Sequence, residues 1–130
     1  SIPKTQKKEI RQIIPEGISM DTLKYEDEKR KLQVEIIIPV CGNKQLDKIV
    51  FDRLQKRKKD FIKSVDKKIK EDNGEISAIG SDFSAIPVSV FRDKDIISYC
   101  FVISYYHGGG VHGMSIFYSI NYNTKSNKEK

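Results

Sequence analysis

Tryptophan is absent from this 130-residue chain, and cysteine occurs only twice. Cys41 and Cys100 stand far apart, with no CxxC pair and no clustered histidine, so they do not make a zinc site. Both lie in apolar, strand-like runs. They are either two buried thiols or the two ends of one disulfide, and a bridge would imply an extracytoplasmic compartment. Long hydrophobic runs are missing as well. The longest, Val34 to Cys41, is broken by Glu35 and Pro39 and falls short of the ~20 residues that span a bilayer. Ser1 to Arg11 is basic and lacks the apolar segment of a signal peptide. No internal repeat or low-complexity tract occurs.

The spacings that mark catalysis are missing too. There is no GxSxG nucleophile elbow, and no glycine-rich loop followed by Lys-Ser/Thr and a helix. No two acids share an apolar run where desolvation could raise a pKa. The residues themselves therefore single out no catalytic group, no metal set and no cofactor.

What is present is charge and pattern. The net charge is +6 and the pI about 9.2, which permits an anionic partner such as nucleic acid or an acidic polymer. A well-solvated lysine-rich surface explains the same numbers more simply. A polar, basic leader over residues 1–17 precedes a weakly alternating strand, Ile18 to Lys24. A charged turn, Tyr25 to Lys31, then joins it to the β-branched run Leu32 to Val40. The continuous Ile36-Ile37-Ile38 suggests a strand covered on both faces.

Asn43 is a good N-cap for a helix from about Lys44 to Asp72, and Asn73-Gly74 a good stop. Leu46, Val50, Leu54, Phe61, Val65 and Ile69 recur at helical spacing on one stripe, flanked by Ile49, Phe51 and Ile62; lysines fill the opposite face. Phe83 to Phe91 reads as a strand at an edge or with a bulge, because Pro87 cannot donate to a ladder. Arg92 to Asp95 is a turn, Ile96 to Tyr106 and Met114 to Tyr122 are strands, and residues 125–130 are a polar tail. The expected class is α+β: one long amphipathic helix on an antiparallel sheet of about five strands, arranged as hairpin, helix and three-strand meander.

Both histidines and half of the eight glycines fall between Tyr105 and Gly113. His107-Gly108-Gly109-Gly110 spells the motif that supplies oxyanion-hole amides in some hydrolases, yet its nucleophile elbow is absent. A phosphate cradle would lead into a helix, whereas this loop leads into a strand. His107 and His112 have no third ligand at matching spacing. The glycines most simply let a hairpin loop take positive φ or pass close to another backbone.

Tyr105-Tyr-His-Gly-Gly-Gly-Val-His-Gly113 nevertheless resembles a known loop, the aromatic-GGxHG signature of the PdaC-type bacterial envelope domain. Gly109, Gly110, His112 and Gly113 fall on the signature, and Val111 takes the place of an alanine. Asn121-Tyr122-Asn123 with Lys125 resembles the family's closing turn, and Ile38-Pro39-Val40 its strand before the helix. The likeness runs from about Leu32 to Lys128. This module precedes the catalytic domain of a peptidoglycan deacetylase and also resembles part of the lysozyme-sensing region of the anti-sigma factor RsiV. His107 lies outside the signature and borrows no role.

The resemblance implies a non-catalytic, extracytoplasmic module, over residues 18–124, for recognition or scaffolding at the bacterial cell wall. Its partner would be a wall glycan or an envelope protein such as lysozyme, and the basic net charge favours an anionic wall polymer over lysozyme, itself typically cationic. The contact residues would be Tyr105, Tyr106, Gly108, Gly109, Gly110, His112 and Gly113, with Tyr118 and Tyr122 as further aromatic candidates. The resemblance also favours a Cys41–Cys100 bridge, and it leads one to expect a further domain after residue 130. The alternatives are an accessory fragment of a wall-modifying enzyme and a polyanion or nucleic-acid binder using the helix's lysine face.

Overall fold

The computed structural model describes residues 13–110 and 112–130. Strand β1 (Ser19–Asp27) and strand β2 (Leu32–Val40) form the expected hairpin, with Ser19 opposite Val40 and Asp27 opposite Leu32. Helix α1 (Lys44–Glu71) follows, then β3 (Ser81–Asp93), β4 (Ile96–Tyr106), β5 (Met114–Asn123) and a two-residue β6 (Lys128–Glu129). The six strands lie in one sheet in chain order. The fold is α+β with one helix on one face of the sheet, as the sequence pattern predicts.

Two details go beyond that expectation. β2 and β3 run parallel, with Leu32 opposite Ser81 and Ile36 opposite Ala85, so hairpin and meander are joined by a β–α–β crossover. Residues 125–130, expected as a tail, fold back: the Asn123 side chain accepts from the Lys125 and Ser126 amides, and β6 then pairs with β5. Arg53 on α1 clasps Glu129 with both guanidinium nitrogens and so ties β6 to the helix. The Arg53 contact holds the Glu129 carboxyl below the usual carboxylate range.

Helix α1 starts where Asn43 Oδ1 accepts from the Leu46 amide at 3.0 Å, and it ends where the Gly74 amide reaches the Ile69 carbonyl at 2.8 Å. Leu46, Val50, Leu54, Phe61 and Val65 are buried against the sheet, and Ile69 packs at the margin. Phe51, expected beside this stripe, turns instead toward solvent. The sheet face under the helix is built from alternate residues, among them Leu32, Val34, Ile36, Phe83, Ala85, Tyr99, Phe101 and Ile120.

The opposite sheet face is not covered by any other element among the described residues. Ile37 on that side is half-buried rather than enclosed, so the triple-isoleucine run has only one face in the core. Pro87 sits in an interior strand, and the bulge between Pro87 and Ser89 reconciles it with the sheet. The parallel ladder with β2 has already ended at Ala85. Among the described residues no helix is long and apolar enough to cross a membrane.

The strand alternation also separates the cysteines. Cys100 neighbours buried Tyr99 and Phe101 on β4 and therefore points to the uncovered face. Cys41 lies on the helix side, its thiol 3.5 Å from the Asn43 amide and 3.4 Å from Asp47 Oδ1. Both thiols are free, so the structure departs from the suggested bridge. Burial pushes the Cys41 thiol above its ordinary range.

Candidate functional site: the glycine loop and the cleft beside it

The loop from His107 to Gly113 joins β4 to β5 and is held at His107, Gly108 and Gly110. The Gly108 amide donates to Ser81 Oγ at 2.8 Å, the Gly110 amide to the His107 carbonyl at 2.8 Å, and the Tyr106 hydroxyl to the Gly110 carbonyl at 2.8 Å. Gly108 is irreplaceable for a steric reason. A Cβ there would lie well under 3.0 Å from the Ile79 carbonyl oxygen, which is backbone and cannot swing away. Gly109 has φ +86°, the left-handed region that side chains disfavour. The run of glycines is thus fixed by close backbone approach and by one positive φ, the structural reading that the spacing favours.

His107 anchors this arrangement to the helix. Its ring packs between Phe61, at 4.9 Å, and Tyr105, at 6.0 Å between centroids, and Nε2 lies 2.6 Å from Ser64 Oγ. Ser64 Oγ also lies 2.6 Å from the Phe61 carbonyl one turn back. A hydroxyl has one proton, and donating it to that carbonyl leaves Nε2–H to donate to Ser64. No side chain orients Nδ1 among the described residues. The pair lacks the ordered relay that activates a serine, and its geometry is that of a clamp between loop and helix. Burial, with the positive charge of Lys68, holds the His107 pKa below the ordinary imidazole range.

The other expected contact residues fall into two sets. Tyr105 faces the core beside Phe61. Tyr106, one residue on, points to the other side of the sheet. His112 is exposed, with Nδ1 3.1 Å from the Gly113 carbonyl, and Gly113 leads into β5. Tyr118 lies under the Arg57 guanidinium at 4.4 Å and accepts from Arg53, while Tyr122 is buried, its hydroxyl donating to Gln45. Val111 lies outside the described residues.

Tyr106 brings the loop to an open cleft of about 530 Å³ that the sequence did not single out. Its walls are the turn end of the β1–β2 hairpin, with Glu26, Asp27, Glu28, Lys31 and Gln33, and the entry to β3, with Ile79 to Asp82. The two walls meet because β2 and β3 start side by side: the Ser81 amide donates to the Lys31 carbonyl at 2.9 Å. Gly80 lies so close to that carbonyl that no side chain fits between them.

Asp27 is spent internally, accepting from Arg30 Nε at 2.7 Å and from the Lys29 amide at 3.0 Å. Arg30 then reaches Asp66 on the helix and holds the Asp27 carboxyl below its usual range. Glu26, Glu28 and Asp82 make no ion pair among the described residues and are free to meet a ligand. The signal for this site lay in the charged turn Tyr25 to Lys31, but nothing in sequence placed it beside residues 79–82. Among the described residues no three His, Cys, Asp or Glu groups come together as a metal set.

No protein-family model matches the chain, and no curated protein does. Solved structures share its fold. A DUF3298 family protein from Pseudomonas aeruginosa PAO1 is 15% identical with a TM-score of 0.60, over 93% of this chain and 56% of that one. A member of the DUF3298 family from Bacteroides fragilis NCTC 9343 is 13% identical with a TM-score of 0.52, over 87% of this chain and 58% of that one. This chain therefore spans little more than half the length of either neighbour. At such identity the likeness establishes a shared fold and transfers no residue roles.

Proposed function

We propose that the protein is a non-catalytic recognition module of the bacterial envelope, outside the cytoplasm, and that it binds through the cleft between the glycine loop and the β1–β2 turn. The observation that carries this reading is the combination of a rigid loop, held by Gly108, Gly110 and Tyr106, with three unpaired carboxylates, Glu26, Glu28 and Asp82. A fixed aromatic beside acceptor oxygens suits a hydroxyl-rich wall glycan, and local negative charge suits a cationic envelope-directed protein such as lysozyme. Local charge thus reverses the preference for an anionic polymer drawn from the net charge. The PdaC-type loop and the fold shared with bacterial DUF3298 proteins support the same reading. The Ser64–His107 pair, engaged as a clamp, supports a role without chemistry.

The test is a titration of the purified chain with peptidoglycan fragments, lysozyme and a teichoic-type polyanion at two salt concentrations. Saturable binding to glycan or lysozyme, weakened at least tenfold by Tyr106→Ala and by Asp82→Asn, is the expected result. Binding to the polyanion alone, indifferent to both substitutions, contradicts it. That outcome would favour a second reading that one observation supports. Helix α1 holds eleven Lys and Arg against five Asp and Glu, so the whole net charge of +6 resides on it. Binding there would weaken steeply with salt.

A further inference from the structure

Residues 106–110 are held by two kinds of bond. The Gly110 amide to the His107 carbonyl and the Tyr106 hydroxyl to the Gly110 carbonyl stay inside the segment and keep its shape. Two others, each through a side chain, fasten it to the rest of the fold. His107 Nε2 meets Ser64 Oγ on α1 at 2.6 Å, and the Gly108 amide meets Ser81 Oγ at the entry to β3 at 2.8 Å. The His107 attachment is the larger one, because its half-buried ring also packs against Phe61 and Tyr105. The loop is therefore latched to the helix through a side chain that titrates near neutral pH.

The surroundings of that ring favour its neutral form. Nε2–H already serves Ser64, so a proton arriving at Nδ1 gains no side-chain partner, and no carboxylate bonds the ring among the described residues. Helix α1 brings Lys68, whose positive charge opposes a second one; Asp72 stands 3.7 Å from that ammonium and is engaged with it. Arg30, Asp72 and Glu75 line the hollow beside Gly108 together with Lys68, two charges of each sign, and of these Lys68 acts on the imidazole. β4 contributes the uncharged Tyr105. His112, the other imidazole of the loop, is exposed and turned to the Gly113 carbonyl.

We infer that His107 is an acid-release latch: protonating its ring detaches residues 107–110 from α1 while the sheet and helix stay folded. Once the ring leaves Phe61 and Ser64, the Gly108–Ser81 bond is the remaining side-chain attachment, and Tyr106 loses the support that fixes it at the cleft. Control of ligand binding by pH rests on the reading of that cleft as the binding site; the release itself does not. A released loop exposes an ordinary imidazole, with a pKa of about 6.5, whereas the latched loop holds it lower. The released form thus binds the proton more tightly. Its share is constant above about pH 6.5, rises by up to about tenfold per pH unit below that, and levels off past the latched midpoint.

Amide hydrogen exchange of the full chain, followed by NMR without ligand between about pH 7.5 and 4.5, tests the latch. The expected result is that protection at Gly108 and Gly110 falls by up to about tenfold per pH unit as His107 titrates. Low urea should leave this fall unchanged, the mark of a local opening. In His107→Gln, which keeps a neutral donor for Ser64, the fall should disappear. In Lys68→Met, which removes the opposing charge, the imidazole should titrate higher and the fall should shrink. Protection that stays constant through the His107 titration overturns the inference, as does a fall that persists in His107→Gln. So do loop amides that exchange only together with core amides of β2 and β4 and with their urea dependence, because the proton would then destabilise the whole fold.

Discussion

Replacing Gly108 with alanine is the sharpest perturbation the loop offers. The new methyl group would meet the Ile79 carbonyl oxygen and, at 3.2 Å, the Ser77 side chain. Backbone lies on both sides of this contact, so loop and Ser77–Ser81 segment must move apart. Overpacking of this kind costs about 1–3 kcal/mol. Separation also breaks the bond from the Gly108 amide to Ser81 Oγ, which costs about 1 kcal/mol more because Ser81 is buried. The expected loss is thus about 2–4 kcal/mol.

For a domain of this size, each kcal/mol lowers Tm by roughly 3–5 °C, giving a drop of about 6–20 °C by calorimetry. Gly109→Ala is the internal comparison. Its nearest neighbours lie at 3.7 Å or beyond, so only the positive φ is penalised, at about 1–2 kcal/mol. A Gly108→Ala protein as stable as the parent, or no less stable than Gly109→Ala, would refute the close-approach account of the loop.

Other groups give independent checks. His107, depressed by burial and Lys68, should titrate by NMR with a midpoint below the ~6.5 of a free imidazole. The unfolded chain then binds the proton more readily. The stability this group contributes is complete above about pH 6.5 and falls as pH drops toward the folded midpoint; in His107→Gln that part of the pH dependence should vanish. Among the described residues the buried Tyr99 hydroxyl has no regular hydrogen-bond partner beyond the weak contact of the Cys41 thiol, and burial pushes its pKa far up. Tyr99→Phe should accordingly leave urea stability unchanged or raise it by up to about 1 kcal/mol. With Cys41 and Cys100 on opposite faces of the sheet, a reducing agent should not change the melting temperature.

The helix and most strands were legible because each rests on a local signal. Asn43, the apolar stripe from Leu46 to Val65 and Gly74 define α1 without reference to anything distant. The glycine loop was legible as structure because three consecutive glycines have few other uses. The parallel β2–β3 pair was not. An order of hairpin, helix and meander is compatible with either direction of β3, and the choice is made by where the crossover helix delivers the chain. The cleft was hidden for the same reason. Glu26 to Gln33 and Ile79 to Asp82 are remote in sequence and meet only because Leu32 lies opposite Ser81. The anchoring role of His107 has no sequence signal, because its partner, Ser64, belongs to the helix and neither residue carries a spacing that pairs them. β6 was obscured by length, since two residues cannot show alternation.

The most direct test of the central claim is a map of amide chemical-shift changes in the labelled protein as peptidoglycan fragments, and separately lysozyme, are added. The account predicts saturable changes at Glu26, Glu28, Lys31, Asp82, Tyr106 and Gly110, around one cleft. Changes confined to the Lys56–Lys63 face of the helix, or no change with either ligand, would contradict it.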